Sequence, residues 1–148
     1  MSVVTVKLYR LDDKVPLPTP ASEGASGCDL RANGTYIVPP KTVCAISTGL
    51  FVAIPEGFEW QIRSRSGLAA KSRLFVLNSP GTLDSDYRGE VGVLLYNAGD
   101  KDYRVAMGER IAQAVLCPVY HPAFELVETL EALGDTARGS GGFGSTGG

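Results

Sequence analysis

Glycine and proline punctuate this chain so often that little room is left for long helices. Eighteen glycines and nine prolines fall among its 148 residues, and each proline removes a backbone donor from any ladder it enters. The apolar residues between these breaks follow the period of strands. Val4, Val6 and Leu8 alternate with Thr5, Lys7 and Tyr9, and Phe58, Trp60 and Ile62 alternate with Glu59, Gln61 and Arg63. Short strands are likewise expected at 36–38, 43–46, 50–54, 74–77, 91–96, 102–105, 111–119 and 124–128. The proline-rich segment 11–27 reads as loop. Only Gly67 to Ser72 has helical character, for barely more than a turn. Strands at this spacing, with turn residues between them, predict an all-β domain: a barrel, a sandwich or a jelly roll.

The stretch Asn78 to Glu90, NSPGTLDSDYRGE, lies between two of these strands and has the outline of a hairpin loop. It holds more chemistry than a turn requires. Asn78 offers an amide, Asp84 and Asp86 offer carboxylates, and Tyr87 offers a phenol. Pro80 and Gly81 leave main-chain N–H and C=O groups free to read the edge of a small planar ligand. The same composition also suits an ordinary long surface loop.

Two further segments point to anion binding, each weakly by itself. Arg65-Ser66-Gly67 ends a strand and opens the short helix, where free N–H groups stand beside a guanidinium and a hydroxyl. Gly108 to Gln113, GERIAQ, enters a strand from a glycine turn and carries Arg110 and Gln113. From Gly134 the composition changes to glycines, hydroxyls, Arg138 and Phe143, nothing that can enter a core. Such a tail is usually plain linker. It also suits an arm that orders over a nucleotide, with Arg138 for phosphate and Phe143 for base stacking. It lacks the Gly-Lys-Ser/Thr ending and following helix of a P-loop.

The remaining composition mainly excludes. A net charge of −2 supplies no basic stripe for sequence-independent nucleic-acid binding. No apolar run reaches the length of a membrane span, and the first residues do not read as a signal peptide. Cys28, Cys44 and Cys117 are odd in number and widely spaced, against both a disulfide framework and a zinc site. A reducing, cytoplasmic location is expected, with a nucleus or organelle left open. His121 is the lone histidine and has no triad around it.

Taken in order, ASGCDL (25–30), RSGLA (65–69), NSPGTLDSDYRGE (78–90), GERIAQ (108–113) and RGSGGFGSTG (138–147) resemble the five signature motifs of the trimeric dUTPases. Motif order, spacing and total length all fit. Two departures are small: Ser64 stands where many members have proline, and Cys28 occupies the variable place of the first motif.

The resemblance implies a β-clip, a distorted jelly-roll subunit with one short helix, forming a homotrimer with shared active sites. Residues 1–133 become the catalytic body and 134–148 an exchanged arm. The implied reaction is hydrolysis of dUTP to dUMP and pyrophosphate with Mg²⁺ on the triphosphate, limiting uracil incorporation into DNA and supplying dUMP for dTMP synthesis. Asp84 then activates the attacking water. Main chain at Gly81, Thr82, Leu83 and about Gly92 reads uracil, assisted by Asn78, and Tyr87 packs under the deoxyribose. Arg65, Ser66, Gly67 and Gln113 hold the phosphates, and Arg138, Phe143, Gly144, Ser145 and Thr146 close the site. Asp29 joins the metal's water shell without ligating it, or else serves as a buried partner for an arginine such as Arg110. Arg88 and Glu90 are assigned to subunit contacts.

Two alternatives separate on sequence. A dCTP deaminase shares the β-clip but needs an acid–base glutamate at the base and usually a longer chain with a different end. A regulatory protein on the same fold is expected to have lost Asp84 or the arm, and both are intact here.

Overall fold

The structure is a computed structural model, and residues 3–144 are described. Eleven strands and one α-helix follow in the order β1 (Lys7–Arg10), β2 (Thr19–Pro20), β3 (Cys28–Arg31), β4 (Tyr36–Val38), β5 (Val43–Ala53), β6 (Phe58–Arg63), α1 (Ser66–Ser72), β7 (Leu74–Val76), β8 (Gly81–Leu83), β9 (Glu90–Asn97), β10 (Tyr103–Val105) and β11 (Arg110–Pro118). A single 3₁₀ turn, Leu130–Leu133, comes after them. The fold is mostly β with one short helix, as the sequence predicts.

The strands form a four-stranded sheet in the order β1-β5-β9-β7, a five-stranded sheet in the order β2-β3-β11-β6-β8, and the small pair β10-β4. Every pairing within them is antiparallel. Alternation of side chains decides which face is buried. On β9, Val91, Val93 and Leu95 point inward while Gly92 and Leu94 do not. Ile46, Leu50 and Val52 of β5 and Leu74 and Val76 of β7 join them. The facing sheet contributes Leu30, Trp60, Ile62, Leu83, Ile111 and Ala114, and the two sets make one hydrophobic cluster.

Several sequence expectations need correction. The segment at 11–27 contains the short β2, and β3 was not foreseen, because Cys28-Asp29-Leu30-Arg31 gives only one buried apolar side chain to the pattern. The two strands expected at 43–46 and 50–54 are one, β5. Gly49, at φ +70°, carries the strand through a bulge rather than ending it. A Cβ there would lie 2.8 Å from Val15 Cγ2, so glycine is required by space as well as by backbone angle. The strand expected at 124–128 does not form. Tyr120, Phe124 and Leu126 are 89, 92 and 97% exposed, and this segment finds no ladder partner among the described residues.

Asn97, buried at the end of β9, ties the edges of the layers together. Its side-chain amide donates to Val38 O at 2.9 Å and Lys101 O at 2.8 Å, and its Oδ1 accepts from Gly99 N–H at 2.8 Å. Asn97→Ala removes the partner of the buried Val38 carbonyl, of the Lys101 carbonyl and of the Gly99 N–H, so unfolding in urea is expected to show a loss of about 1–3 kcal/mol.

Candidate active site

The loop at 78–90 does join adjacent antiparallel strands: Val76 of β7 faces Leu95 of β9, and Leu77 N–H donates to Leu94 O. Its middle, however, crosses to the other sheet. Gly81, Thr82 and Leu83 form β8 and pair with Ile62, Gln61 and Trp60 of β6. Gly81 and Leu83 turn inward and Thr82 outward, so one edge of this motif is anchored by a ladder while its other edge has no neighbouring strand. Gly81 is needed for packing: a Cβ would meet the Asn78 amide at 3.2 Å and Ile62 Cβ at 3.4 Å. Sequence and structure thus bring Asn78, Gly81, Thr82 and Leu83 together. Asp84 follows at the open end of β8, exposed, lining a cleft of about 810 Å³.

Tyr87 folds back within the loop. Its N–H donates to Asp84 O at 3.2 Å and its hydroxyl to Glu90 O at 3.0 Å. The phenol lies so close over Gly89 that a Cβ there would be 2.2 Å from the hydroxyl oxygen. Gly92 is exposed on β9 opposite Ser47, with nothing near its missing Cβ. Arg88 donates to the main-chain carbonyls of Ser85 and Tyr87.

The second cluster gathers at the opposite end of β6. Asp29 of β3 and Arg63 of β6 flank Gln113 of β11 in register. Asp29, largely buried, accepts from Arg65 Nε at 3.1 Å and from Arg110 Nη1 at 3.3 Å. Gln113 donates to Ser64 O at 3.0 Å, and the Ser64 hydroxyl accepts from Val76 N–H at 2.9 Å. Arg65 is the N-cap residue of α1, whose first turn, with Ser66 and Gly67, has no side-chain cap. The cluster is therefore two guanidiniums on a shared carboxylate beside uncapped N–H groups, a surface suited to a polyanion. Burial, then the neighbouring Asp29 carboxylate, push the Cys28 thiol above its ordinary value, so it stays a neutral packing group.

Glu109 in the fourth motif is structural. It accepts from Tyr103 Oη at 2.5 Å and from Ala106 N–H at 2.9 Å, fixing the turn that delivers Arg110. Burial, with the Glu109 carboxylate second, pushes the Tyr103 phenol up to about 12. Sequence reading missed Gly27, where a Cβ would lie 2.7 Å from Gln113 Oε1. A glycine just ahead of a strand that carries a candidate site residue was the available signal.

The two clusters do not meet within one chain. Leu83 faces Trp60, so Asp84 lies beside Glu59 near the start of β6, whereas Arg65 lies past its other end. From Glu59 to Arg65, at about 3.3 Å per residue, the gap is roughly 20 Å. The cleft beside Asp84 is also lined by the carboxylates of Glu56, Glu59 and Asp86, which outnumber its cations Lys7 and Arg88. The described part of the tail, to Gly144, does not bridge the gap. Arg138 Nε donates to Gly141 O at 2.7 Å, Phe143 and Gly144 are exposed, and Ser145 and Thr146 lie outside the described residues. No group of three metal-ligating side chains stands among the described residues, and both Asp29 oxygens already accept from guanidiniums. Asp29 does not fit a direct metal ligand.

A family model described as dUTPase matches residues 13–147. The chain is 49% identical to the deoxyuridine 5'-triphosphate nucleotidohydrolase of Roseobacter denitrificans, over 100% of this chain and 99% of that protein. It is 54% identical to the protein of the same name from Mesorhizobium japonicum, over 97% and 91%. Among solved structures it resembles the Staphylococcus bacteriophage 80alpha dUTPase with dUPNHPP, at a TM-score of 0.88 and 27% identity, over 98% of this chain and 99% of that one. A mutant dUTPase from phage phi11 of S. aureus, described for its coordination of a structural Mg(II) ion, matches in fold at a TM-score of 0.79 and 23% identity, over 86% and 99%.

The Asp29–Arg65 pair can be measured without substrate. A double-mutant cycle of Asp29→Ala and Arg65→Ala, read by chemical unfolding, is expected to give a coupling of about 1–2 kcal/mol, because the carboxylate is largely buried and the bonds are charge-assisted.

Proposed function

The chain belongs to the dUTPase family and is a deoxyuridine 5'-triphosphate nucleotidohydrolase, a hydrolase of nucleotide metabolism, and from that premise we propose that Asp84 activates the water that attacks the α-phosphorus of dUTP. The observation that carries this is the position of Asp84, an exposed carboxylate directly beyond β8. β8, anchored on β6 by one edge, offers the main-chain donors and acceptors of its other edge to a uracil. An aspartate is an anion at neutral pH and can orient a water and accept its proton as the new P–O bond forms. Pyrophosphate leaves as dUMP is released.

Main chain from Gly81 to Leu83 and near Gly92 pairs with the uracil edge, with Asn78 held beside Gly81 as its support. Cytosine presents a donor where uracil presents an acceptor, which leaves buried groups unpaired. Tyr87 forms the floor under the deoxyribose and excludes a 2′-hydroxyl. Arg65, Ser66, Gly67 and Gln113 bind the phosphates through charge, hydroxyl, main-chain N–H and amide. Mg²⁺ travels on the triphosphate and neutralises part of its charge. Asp29 reaches that ion only through water, while directly it holds Arg65 and Arg110 in place.

Because Asp84, which acts at the α-phosphorus, and Arg65, which holds the phosphates, lie roughly 20 Å apart along β6, Asp84 of one copy serves a phosphate site on another copy. A homotrimer with three shared sites accounts for this. The uncovered Tyr120, Phe124, Leu126, Leu130 and Leu133 give the stretch that leads to the tail an apolar surface for a neighbouring copy. Residues 134–148 then act as the arm, with Phe143 stacking on uracil and Arg138, Gly144, Ser145 and Thr146 gripping the outer phosphates.

Pyrophosphate release is expected from dUTP with Mg²⁺, giving dUMP by chromatography, and not from dCTP, dTTP or UTP. Conversion of dCTP to a uracil nucleotide would instead identify a deaminase. Asp84→Asn is expected to bind dUTP while losing about 10²–10⁴-fold in kcat; a variant that hydrolyses normally removes Asp84 from the chemistry. Deleting residues 138–148 is expected to abolish turnover and leave a trimer by light scattering.

A further inference from the structure

Glu90 is the last residue of the base-reading loop and the first of β9, and its contacts run in two directions within the chain. Its carboxylate Oε1 accepts from the Ser47 hydroxyl and from Gly49 N–H, the latter at 2.8 Å. Its main-chain carbonyl accepts from the Tyr87 hydroxyl at 3.0 Å. Within the chain, Glu90 therefore has an internal role in holding the loop, whatever subunit contacts it makes besides.

The reason lies in the β5 bulge. Ser47 faces Gly92 and Phe51 faces Glu90, so the residues between them on β5 outnumber the one facing them on β9. Main-chain groups at such a bulge lose their ladder partners and need others. Thr48 supplies one, donating from Oγ1 to Val91 O at 2.6 Å. Glu90 supplies the other by capping Gly49 N–H. The bulge is consequently a fixed post, and the carboxylate ties the end of the loop to it. The Tyr87 ring is then confined between the Glu90 carbonyl and the bare backbone of Gly89.

We propose that Glu90 is a positioning residue for sugar selection: its carboxylate, latched on the Ser47–Gly49 bulge, fixes the carbonyl that holds Tyr87, and so sets the floor that rejects a 2′-hydroxyl. This rests on the reading of Tyr87 as that floor. Without the latch the Glu90 carbonyl shifts, the phenol loses its fixed acceptor, and a ribose fits. Thr48 stabilises the same bulge without touching Tyr87, which separates positioning from general stability.

The test is the ratio of kcat/KM for dUTP to that for UTP. Glu90→Ala and Tyr87→Phe are each expected to lower the ratio at least about tenfold, since the held position of the ring is what excludes the 2′-hydroxyl. Glu90→Gln keeps an oxygen acceptor for both donors and is expected to stay within about threefold of the parent. Thr48→Val is expected to lower the unfolding midpoint and leave the ratio unchanged. A folded Glu90→Ala with the parent ratio overturns the proposal, as does Thr48→Val lowering the ratio equally. If Glu90→Ala does not fold, Tyr87→Phe decides: a parent-like ratio overturns it. A parent enzyme that accepts UTP as well as dUTP, or a Tyr87→Ala variant with an unchanged ratio, instead removes the floor on which the proposal rests.

Discussion

The antiparallel pairing of β5 with β9 is the constraint on which the other parts depend. It places Ile46, Leu50 and Val52 beside Val91, Val93 and Leu95, and so builds the middle of one face of the core. β1 pairs with the far edge of β5 and β7 with the far edge of β9. The loop between β7 and β9 is therefore pinned at both ends before it reaches the second sheet. Its one departure from regular pairing, the bulge after Ser47, lies where the loop rejoins the sheet. A bulge there frees main-chain groups that side chains must satisfy, and Thr48 and Glu90 do so.

The second sheet fixes the middle of that loop as well. β8 takes its register from β6, with Leu83 and Gly81 buried, so the main chain cannot slide without turning Thr82 inward. The same β6, at its other end, leads into Arg65 and α1. One strand thus sets the spacing between Asp84 at one end and Arg65 at the other.

Much of the fold was legible in the sequence because period-two alternation is a local property. Val4 to Tyr9 and Phe58 to Arg63 each show it within a few residues, and the helix was readable at Gly67 to Ser72, inside the observed Ser66–Ser72. The errors have a common cause. Gly49 looks like a strand end in sequence and is a bulge in the structure, because only the partner strand reveals which pairing continues past it. Phe124 to Glu128 has strand composition but no ladder partner among the described residues, and composition cannot supply one. β3 escaped notice because its polar residues serve Arg65, Arg110 and Gln113 rather than a core.

By itself the sequence determined the fold class, the order of the five motifs and the chemical types available at each. These follow from local alternation, turn residues and functional groups, all of which are written residue by residue. Only the tertiary structure decided who holds whom. Asp29 lies between two guanidiniums, β8 pairs with β6, and the Glu90 carboxylate reaches back to Ser47 and Gly49. Each joins positions far apart in the chain. Such partners are chosen by strand register and by the need to satisfy buried donors and acceptors, and neither is encoded at a single position.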